Sequence, residues 1–439
     1  MKRILFVSQV FYPDTTSTSQ LFTSMFAEMR REGHEITVLC TFPSGREGRD
    51  RRLPRRESYK GIEIRRLGFR IDHKKNLINR TLSYAGFLIP TFLNLLFGRK
   101  PHVILGVTNP PFLAQVLWLM SLIRGLKYQY MILDAYPESL IALGMSARSL
   151  TARMWFGLNR LAYRKAEKII VLGRDMTTLV TDNYGVPEDR IVYIPHWSAV
   201  EAPEPLPIEE SSMIDRLGLR ERFVVQYSGN MGRWHDMKIF VRAAKILEDD
   251  PSIHFLFIGD GARRAEAVAL AEELKVSNLT WHEFVPLEQV QESLSSCHIS
   301  LISLRAGFEG VAVPSKLYGI LMSGRAIVAQ VPLETETAFA VEEDDCGIVV
   351  PPDDLDGLVA AIRELAADRE RTARYGRNAF RAYQTKYTQK QAIRSFSELW
   401  QLDMPADGAA KSAAPAELDN PINRNKEHRS QRAASAKTK

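Results

Sequence analysis

The chain has 439 residues and a formal net charge of +6, with 45% apolar and 25% charged residues, a soluble globular balance with material for two or three domains. Its longest apolar stretches, Leu82–Phe97 and Pro110–Ile123, fall short of the roughly 20 residues of a membrane span. Cys40, Cys297 and Cys346 are odd in number and widely spaced, which excludes a disulfide framework or a zinc pattern and leaves them as small buried hydrophobes.

The first apolar run, Ile4–Val7 within KRILFVS, is too short for a signal peptide and reads as a buried strand, so a cytoplasmic protein is expected. The hydroxyl-rich loop Tyr12–Ser19 follows, suited to sugar hydroxyls or to helix capping. Thr18–Glu32 places Leu21, Met25, Phe26 and Met29 at helical spacing, Gly33 ends that helix, and Glu35–Cys40 is the next strand. This strand–helix–strand unit predicts a parallel sheet. Between Arg46 and Arg80 there are thirteen Lys/Arg and five Asp/Glu. Such a segment is either a solvated loop or a patch that attracts phosphates on membranes or polyprenyl carriers; nucleic acid is not expected, because no nucleic-acid motif accompanies it. Leu77–Phe97 combines apolar residues with flanking Lys74, Lys75, Arg80 and Arg99, so it is either a buried helix or a contact with the inner leaflet of the membrane.

Further strands are predicted at Val103–Val107, Tyr128–Leu133, Lys168–Val171 and Ile191–Ile194, with a helix over Thr151–Ala166. After the proline-rich stretch Pro203–Glu210 the alternation restarts, with strands at Phe223–Ser228, Ile253–Ile258, Leu279–Glu283, Ile299–Ile302 and Ala326–Gln330. Helices are expected at Met237–Leu247, Ala262–Leu274, Leu355–Asp368 and Arg369–Lys386. The fold class is therefore α/β, with two Rossmann-like domains facing a cleft where ligands bind beyond the carboxyl ends of the strands. Domains are placed at 1–202 and 213–385, with a linker at 203–212 and a C-terminal helix at 386–404 returning toward the first domain. The segment 405–439, rich in Ala, Lys, Arg, Ser and Asn without aromatics, is expected to be disordered.

Four turns can carry chemistry. In YSGNMGRWHDMK, a strand runs through Gly229, Asn230 and Gly232 into a helix, a geometry that brings backbone N–H groups to an anion, with Arg233 and His235 as side-chain donors. FIGDG puts Asp260 and Gly261 at a similar turn, where Asp260 either caps a helix or meets a ligand. Pro314, Ser315 and Lys316 precede a short helix ending near Gly324; Ser315 can cap it, and Lys316 is either a surface lysine or a phosphate-binding charge. Asp134 and Glu138, directly after a strand, either cap a helix or face the cleft. His196 ends another strand and reads as structural.

Together the YP loop with GHEITVL, the DAYPE segment followed by ALG, SGNMGRWHD, FIGDG and VPSKLYGILMSGRAIVA resemble the family-4 glycosyltransferases, a retaining family of GT-B fold. The resemblance spans residues 1 to about 400 and is strongest to bacterial enzymes of colanic-acid, O-antigen and exopolysaccharide assembly. It implies a UDP- or GDP-sugar on the C-terminal domain, a glycan or lipid-linked acceptor on the N-terminal domain, and no metal or other cofactor. It places the diphosphate on Gly229, Asn230, Gly232, Arg233 and His235, the nucleobase near Phe284 and Val285, and the nucleotide beside Pro314, Ser315 and Lys316. Asp134 or Glu138 would orient the acceptor. The family's paired glutamates begin at Glu309; the second falls on Leu317 by counting, or on Gly319 when Ser323 and Gly324 are aligned, and neither is acidic. A sugar-nucleotide 2-epimerase of the same architecture and a non-catalytic scaffold are the alternatives.

Overall fold

The computed structural model describes residues 1–43, 53–69 and 77–402. The segment 405–439 and parts of the basic stretch lie outside the described residues.

Two α/β units follow one another. The first holds an eight-stranded sheet in the order β3-β4-β2-β1-β5-β6-β7-β8, and the second a six-stranded sheet in the order β11-β10-β9-β12-β13-β14. In the first, β1 (Arg3–Val7) lies between β2 (Glu35–Cys40) and β5 (Val103–Val107), and β6 (Gln129–Ile132), β7 (Lys168–Val171) and β8 (Ile191–Tyr193) continue to the edge. These pairs are all parallel. Parallel strands are covered on both faces, which is why they read as continuous apolar runs. The second sheet centres on β9 (Phe223–Ser228) between β10 (Ile253–Ile258) and β12 (Ile299–Ser303). It is completed by β11 (Leu279–His282), β13 (Ala326–Gln330) and β14 (Gly347–Val350).

The basic stretch is not a plain solvated loop. Part of it forms an antiparallel hairpin, β3 (Arg56–Tyr59) with β4 (Ile62–Arg66), at the sheet edge. Lys60 and Gly61 both have positive φ, 50° and 80°, as a two-residue hairpin turn requires. β4 then pairs with β2, burying Ile62 and Ile64. The Arg66 side chain is buried too; its guanidinium donates to Glu57 at 2.5 Å and to the carbonyl of Tyr12 at 2.8 Å. At least one cation of the stretch is therefore structural.

The helix Leu77–Phe97 has two characters. Phe87 and Leu95 are buried, whereas Ile78, Leu82, Ile89, Leu93 and Phe97 are exposed. The exposed residues 82, 89, 93 and 97 follow spacings of seven, four and four, one stripe of a helix. Beside it the helix Leu113–Arg124 exposes Leu119, Leu122 and Ile123. Arg124 ties the two together by donating to the carbonyls of Leu95 and Gly98. Among the described residues, no helix is long and apolar enough to cross a membrane. All three cysteines are buried and free.

The first domain's core, built on Phe6, Phe22, Met25 and Phe26, continues across the domain boundary to Leu317, Tyr318 and Tyr387. The C-terminal helix Gln389–Trp400 crosses back onto the first domain. Its Phe396 packs edge-on against Phe22 and Trp197. Trp400 donates its indole N–H to Gln129 Oε1 at 2.8 Å, and Lys2 Nζ donates to the Trp400 carbonyl. Each fully buried aromatic of this kind contributes about 1.5–3 kcal/mol through apolar burial.

Candidate active site

A cleft of about 1150 Å³ lies where the carboxyl ends of both sheets converge. From the first domain it takes Thr15 in the loop after β1 with Ser17 and Thr18 at the start of the helix Ser17–Arg31, Asn109 after β5, Asp134 after β6 and His196 after β8. From the second it takes the turn after β9, the Phe284–Leu287 segment and the Val313–Lys316 segment with Gly319.

The turn after β9 is shaped by close backbone approaches. A Cβ on Gly259 would meet the Gly229 carbonyl at 2.3 Å, and one on Gly261 the Met231 carbonyl at 2.5 Å; both glycines have strongly positive φ. Gly229 N donates to Ile258 O and Met231 N to Asp260 O. Asp260 and Gly261 thus buttress the Gly229 turn and lie outside the cleft lining, with the Asp260 carboxylate accepting from Gly261 N. Because the Gly229 and Met231 N–H groups are committed, an anion is left the N–H groups of Asn230 and Gly232, which make no backbone hydrogen bond among the described residues.

Lys316 is not a surface lysine at its charged end. Its Nζ is buried, makes no hydrogen bond, and sits 3.5 Å from the centroid of the Tyr227 ring. It lies 4.0 Å from where a Cβ on Gly229 would stand. Burial holds its ammonium well below the usual lysine range. The Tyr227 hydroxyl donates to the Asn230 carbonyl at 2.9 Å, fixing ring and turn together. His235 lines the same site, but as a neutral imidazole: burial, then the Lys316 charge, push it down to about 3. Its Nδ1 meets the Ser303 carbonyl, which can only accept, so Nδ1 carries the proton and Nε2 is an acceptor. The basic role at this turn therefore rests on Arg233, which is exposed at the cleft, and on Lys316, with His235 excluded as a cation. Asp236 caps the following helix by accepting from Lys238 N and Ile239 N.

Among the other expected residues, Phe284, Val285, Pro314 and Ser315 line the cleft, as does Gly319. Ser315 stands at the N-terminus of the helix Lys316–Met322, but its hydroxyl makes no capping bond. Asp134 lines the cleft, and burial raises its carboxyl to about 7. Glu138 does not join it: its Oε1 accepts from Tyr184 at 2.6 Å and from Asn183 at 3.2 Å inside the first domain. Glu309 is exposed and outside the lining. Sequence reasoning missed Tyr227 and Asn109 and gave His196 a structural role only. Position directly after a strand was the available signal for Asn109 and His196.

The two domains close on each other beside the cleft. Ala135 N donates to Val311 O at 2.8 Å, and Asp134 pairs with Ala312 as an antiparallel bridge. Arg174 donates Nε to Glu336 Oε2 at 2.9 Å and Nη2 to Oε1 at 3.1 Å, a bidentate pair, and Nη1 to Glu343 at 2.6 Å. Tyr193 also donates to Glu336. Asp175 accepts from Gly310 N at 2.9 Å. Among the described residues no three His, Cys, Asp or Glu side chains converge as a metal-ligand set.

Residues 19–197 match the family described as glycosyl transferase 4-like domain, and residues 222–368 match glycosyl transferases group 1. The chain is 27% identical over 368 residues to the probable glycosyltransferase WbjE of Pseudomonas aeruginosa, covering 83% of this chain and 90% of that protein. It is 23% identical over 379 residues to the putative colanic acid biosynthesis glycosyl transferase WcaI of Escherichia coli K12, covering 82% and 91%. Among solved structures it is similar to Anabaena HepE in complex with UDP, with a TM-score of 0.66 at 15% identity, covering 91% of this chain and 100% of that one.

Proposed function

From the premise that the chain is a glycosyltransferase of GT-B fold, a glycosyl transferase 4-like domain followed by a group 1 domain, we propose that it moves a sugar from a UDP- or GDP-sugar to a polyprenyl-diphosphate-linked glycan during surface polysaccharide synthesis, with retention at the anomeric carbon. The observation that carries this reading is the buried, unpaired Lys316 Nζ beside the Gly229 turn. A charge held there without a partner is made good by an anion, and a nucleoside diphosphate supplies one.

The chemistry follows from placement. As the bond between the sugar's anomeric carbon and the β-phosphate oxygen breaks, negative charge grows on the diphosphate. Lys316, Arg233 and the N–H groups of Asn230 and Gly232 stand where that charge develops. The acceptor hydroxyl approaches the same face, and its proton passes to the leaving phosphate oxygen. Asp134 orients that hydroxyl from the first domain, and the neutral His235 accepts a hydrogen bond from a donor hydroxyl through Nε2. The closed domain contacts exclude water, which limits donor hydrolysis. No metal enters this scheme. The relatives' names, a probable glycosyltransferase and a putative colanic acid biosynthesis enzyme, favour a polysaccharide role, and the UDP in HepE favours a uridine donor.

A lipid-linked acceptor requires access to a membrane. The apolar stripe of Leu82, Ile89, Leu93 and Phe97, with Leu119, Leu122 and Ile123 beside it and Arg80, Arg99 and Lys127 nearby in the chain, suits shallow peripheral contact with an anionic inner leaflet.

The deciding experiment measures nucleotide release from a panel of UDP- and GDP-sugars, with wild type beside Arg233→Ala and Lys316→Ala. Release from one donor class, lost in both variants, is the expected result. Release unchanged in both variants removes the diphosphate assignment, and interconversion of the donor to its 2-epimer without an acceptor establishes the epimerase instead.

A further inference from the structure

His196 follows β8, the edge strand of the first sheet, and only 6% of its surface is exposed. Its Nδ1 is buried and makes no hydrogen bond. Buried polar atoms in folded proteins almost always have partners, so an unpartnered ring nitrogen in a cleft wall is available to a ligand. The ring stands edge-on to Tyr318, with centroids 6.2 Å apart, and lines the cleft together with Lys316 and Gly319. Burial pushes the imidazole down to about 4, so near neutral pH it offers one N–H and one lone pair. Whichever of the two Nδ1 presents, a hydroxyl can meet it, because a hydroxyl both donates and accepts.

The surroundings select which hydroxyl. Lys316 and Gly319 lie one helical turn apart on the helix Lys316–Met322, and both face the cleft. Gly319 contributes no side chain, and the nearest atom to a Cβ there would be Leu294 Cδ1 at 3.1 Å. The same domain's share of the lining includes the apolar Val285, Pro286 and Leu294, with Ser293 among them. A nucleoside diphosphate with its phosphates at Lys316 and its base toward Val285, Pro286 and Leu294 places its ribose beside Gly319, which has no side chain to offer it, and near Ser293 of the same wall.

We propose that His196, from the first domain, binds the ribose hydroxyls of the nucleotide. This rests on the reading that the cleft takes a nucleoside diphosphate. Each nucleotide then touches both domains, and its binding favours their closed arrangement.

The test is calorimetric titration of the full chain with UDP and GDP, and with the 2′,3′-dideoxy form of whichever binds. Wild type should lose roughly tenfold in affinity toward the dideoxy nucleotide. His196→Phe keeps a ring of similar shape without either nitrogen; it should lose the same factor toward the ribonucleotide and nothing further toward the dideoxy form. His196→Asn, whose amide again offers a donor and an acceptor, should recover most of the loss. Equal ribonucleotide affinity in wild type and His196→Phe overturns the proposal, and so does an equal loss by His196→Phe toward both nucleotides. Should His196→Phe melt early, the wild-type dideoxy comparison and His196→Asn decide: no dideoxy penalty in wild type overturns the proposal. Binding of neither UDP nor GDP by wild type overturns the donor-site reading itself, and this inference with it.

Discussion

Lys316 Nζ lies over the face of Tyr227, 3.5 Å from the ring centroid, with no acidic side chain among the described residues to neutralise it. Among the described residues the aromatic face is the compensation present, and a cation–π contact of this kind returns about 2 kcal/mol or less when desolvated. The unliganded site is therefore held at a cost to stability, and removing the cation should separate stability from activity. Lys316→Met is expected to raise the melting temperature by a few degrees while lowering transfer by about 100- to 1000-fold. Thermal melting and steady-state kinetics on the same preparation check both halves.

Asp134 carries the clearest pH signature. Burial raises its carboxyl from 3.8 to about 7, so between those values the folded state keeps a proton that the unfolded state has lost. The sign follows: Asp134 lowers stability progressively as pH rises through this window. Asp134→Asn should match wild type near pH 4 and exceed it at pH 8 by ~1–3 kcal/mol. If the ionised carboxylate orients the acceptor, wild-type turnover rises with pH through about 7 and the variant's rising limb disappears. Urea titrations at the two pH values and a pH–rate profile make the comparison.

The Arg174–Glu336 pair joins the domains, and both side chains are largely buried, at 13% and 2% exposure. Removing Arg174 strands the buried Glu336 carboxylate, whereas removing Glu336 leaves Arg174 its Glu343 partner. Arg174→Ala should cost ~3–5 kcal/mol and Glu336→Ala less, because Glu343 still faces Arg174, whereas Arg174→Met with Glu336→Leu should recover most of the larger loss. A double-mutant cycle by urea denaturation measures the coupling, and near-additive losses would rule out the pair as a unit.

Membrane contact is testable without touching the cleft. Ile89→Ser, Leu93→Ser and Phe97→Ser alter exposed positions, so folding stability should change little. Sedimentation with vesicles containing phosphatidylglycerol should fall by tenfold or more in the triple variant, and wild-type binding should weaken as salt rises. Binding that is equal in the two proteins would assign the stripe to some other partner.

The strands were legible because parallel sheets bury both faces, leaving unbroken runs such as Phe223–Ser228 and Ile253–Ile258. The hairpin β3–β4 was hidden by its arginines, although Ile62 and Ile64 alternate correctly and Lys60-Gly61 has the makings of a tight turn. β14, a short run of four residues, was also missed. Within the site, turns built from adjacent residues could be read; what sequence could not supply was direction and distance. Glu138 follows Asp134 by four residues, yet it points to Tyr184 inside the domain. Lys316 and Tyr227 are 89 positions apart, and nothing local announces that one covers the other. That His235 is neutral could not be read from its position, because charge depends on burial, which is a property of the fold.

The return of the C-terminal helix has a mechanical consequence. The chain passes from the first domain to the second near Pro203 and comes back after Tyr387, with Trp400 fastened to Gln129. Two bodies joined at a single point can swivel in any direction, whereas two bodies joined at two separate points keep one easy rotation, about the line through both. The cleft should therefore open like a door on a pair of pins. The two walls of the cleft should then separate along one path and return to the same register each time it closes.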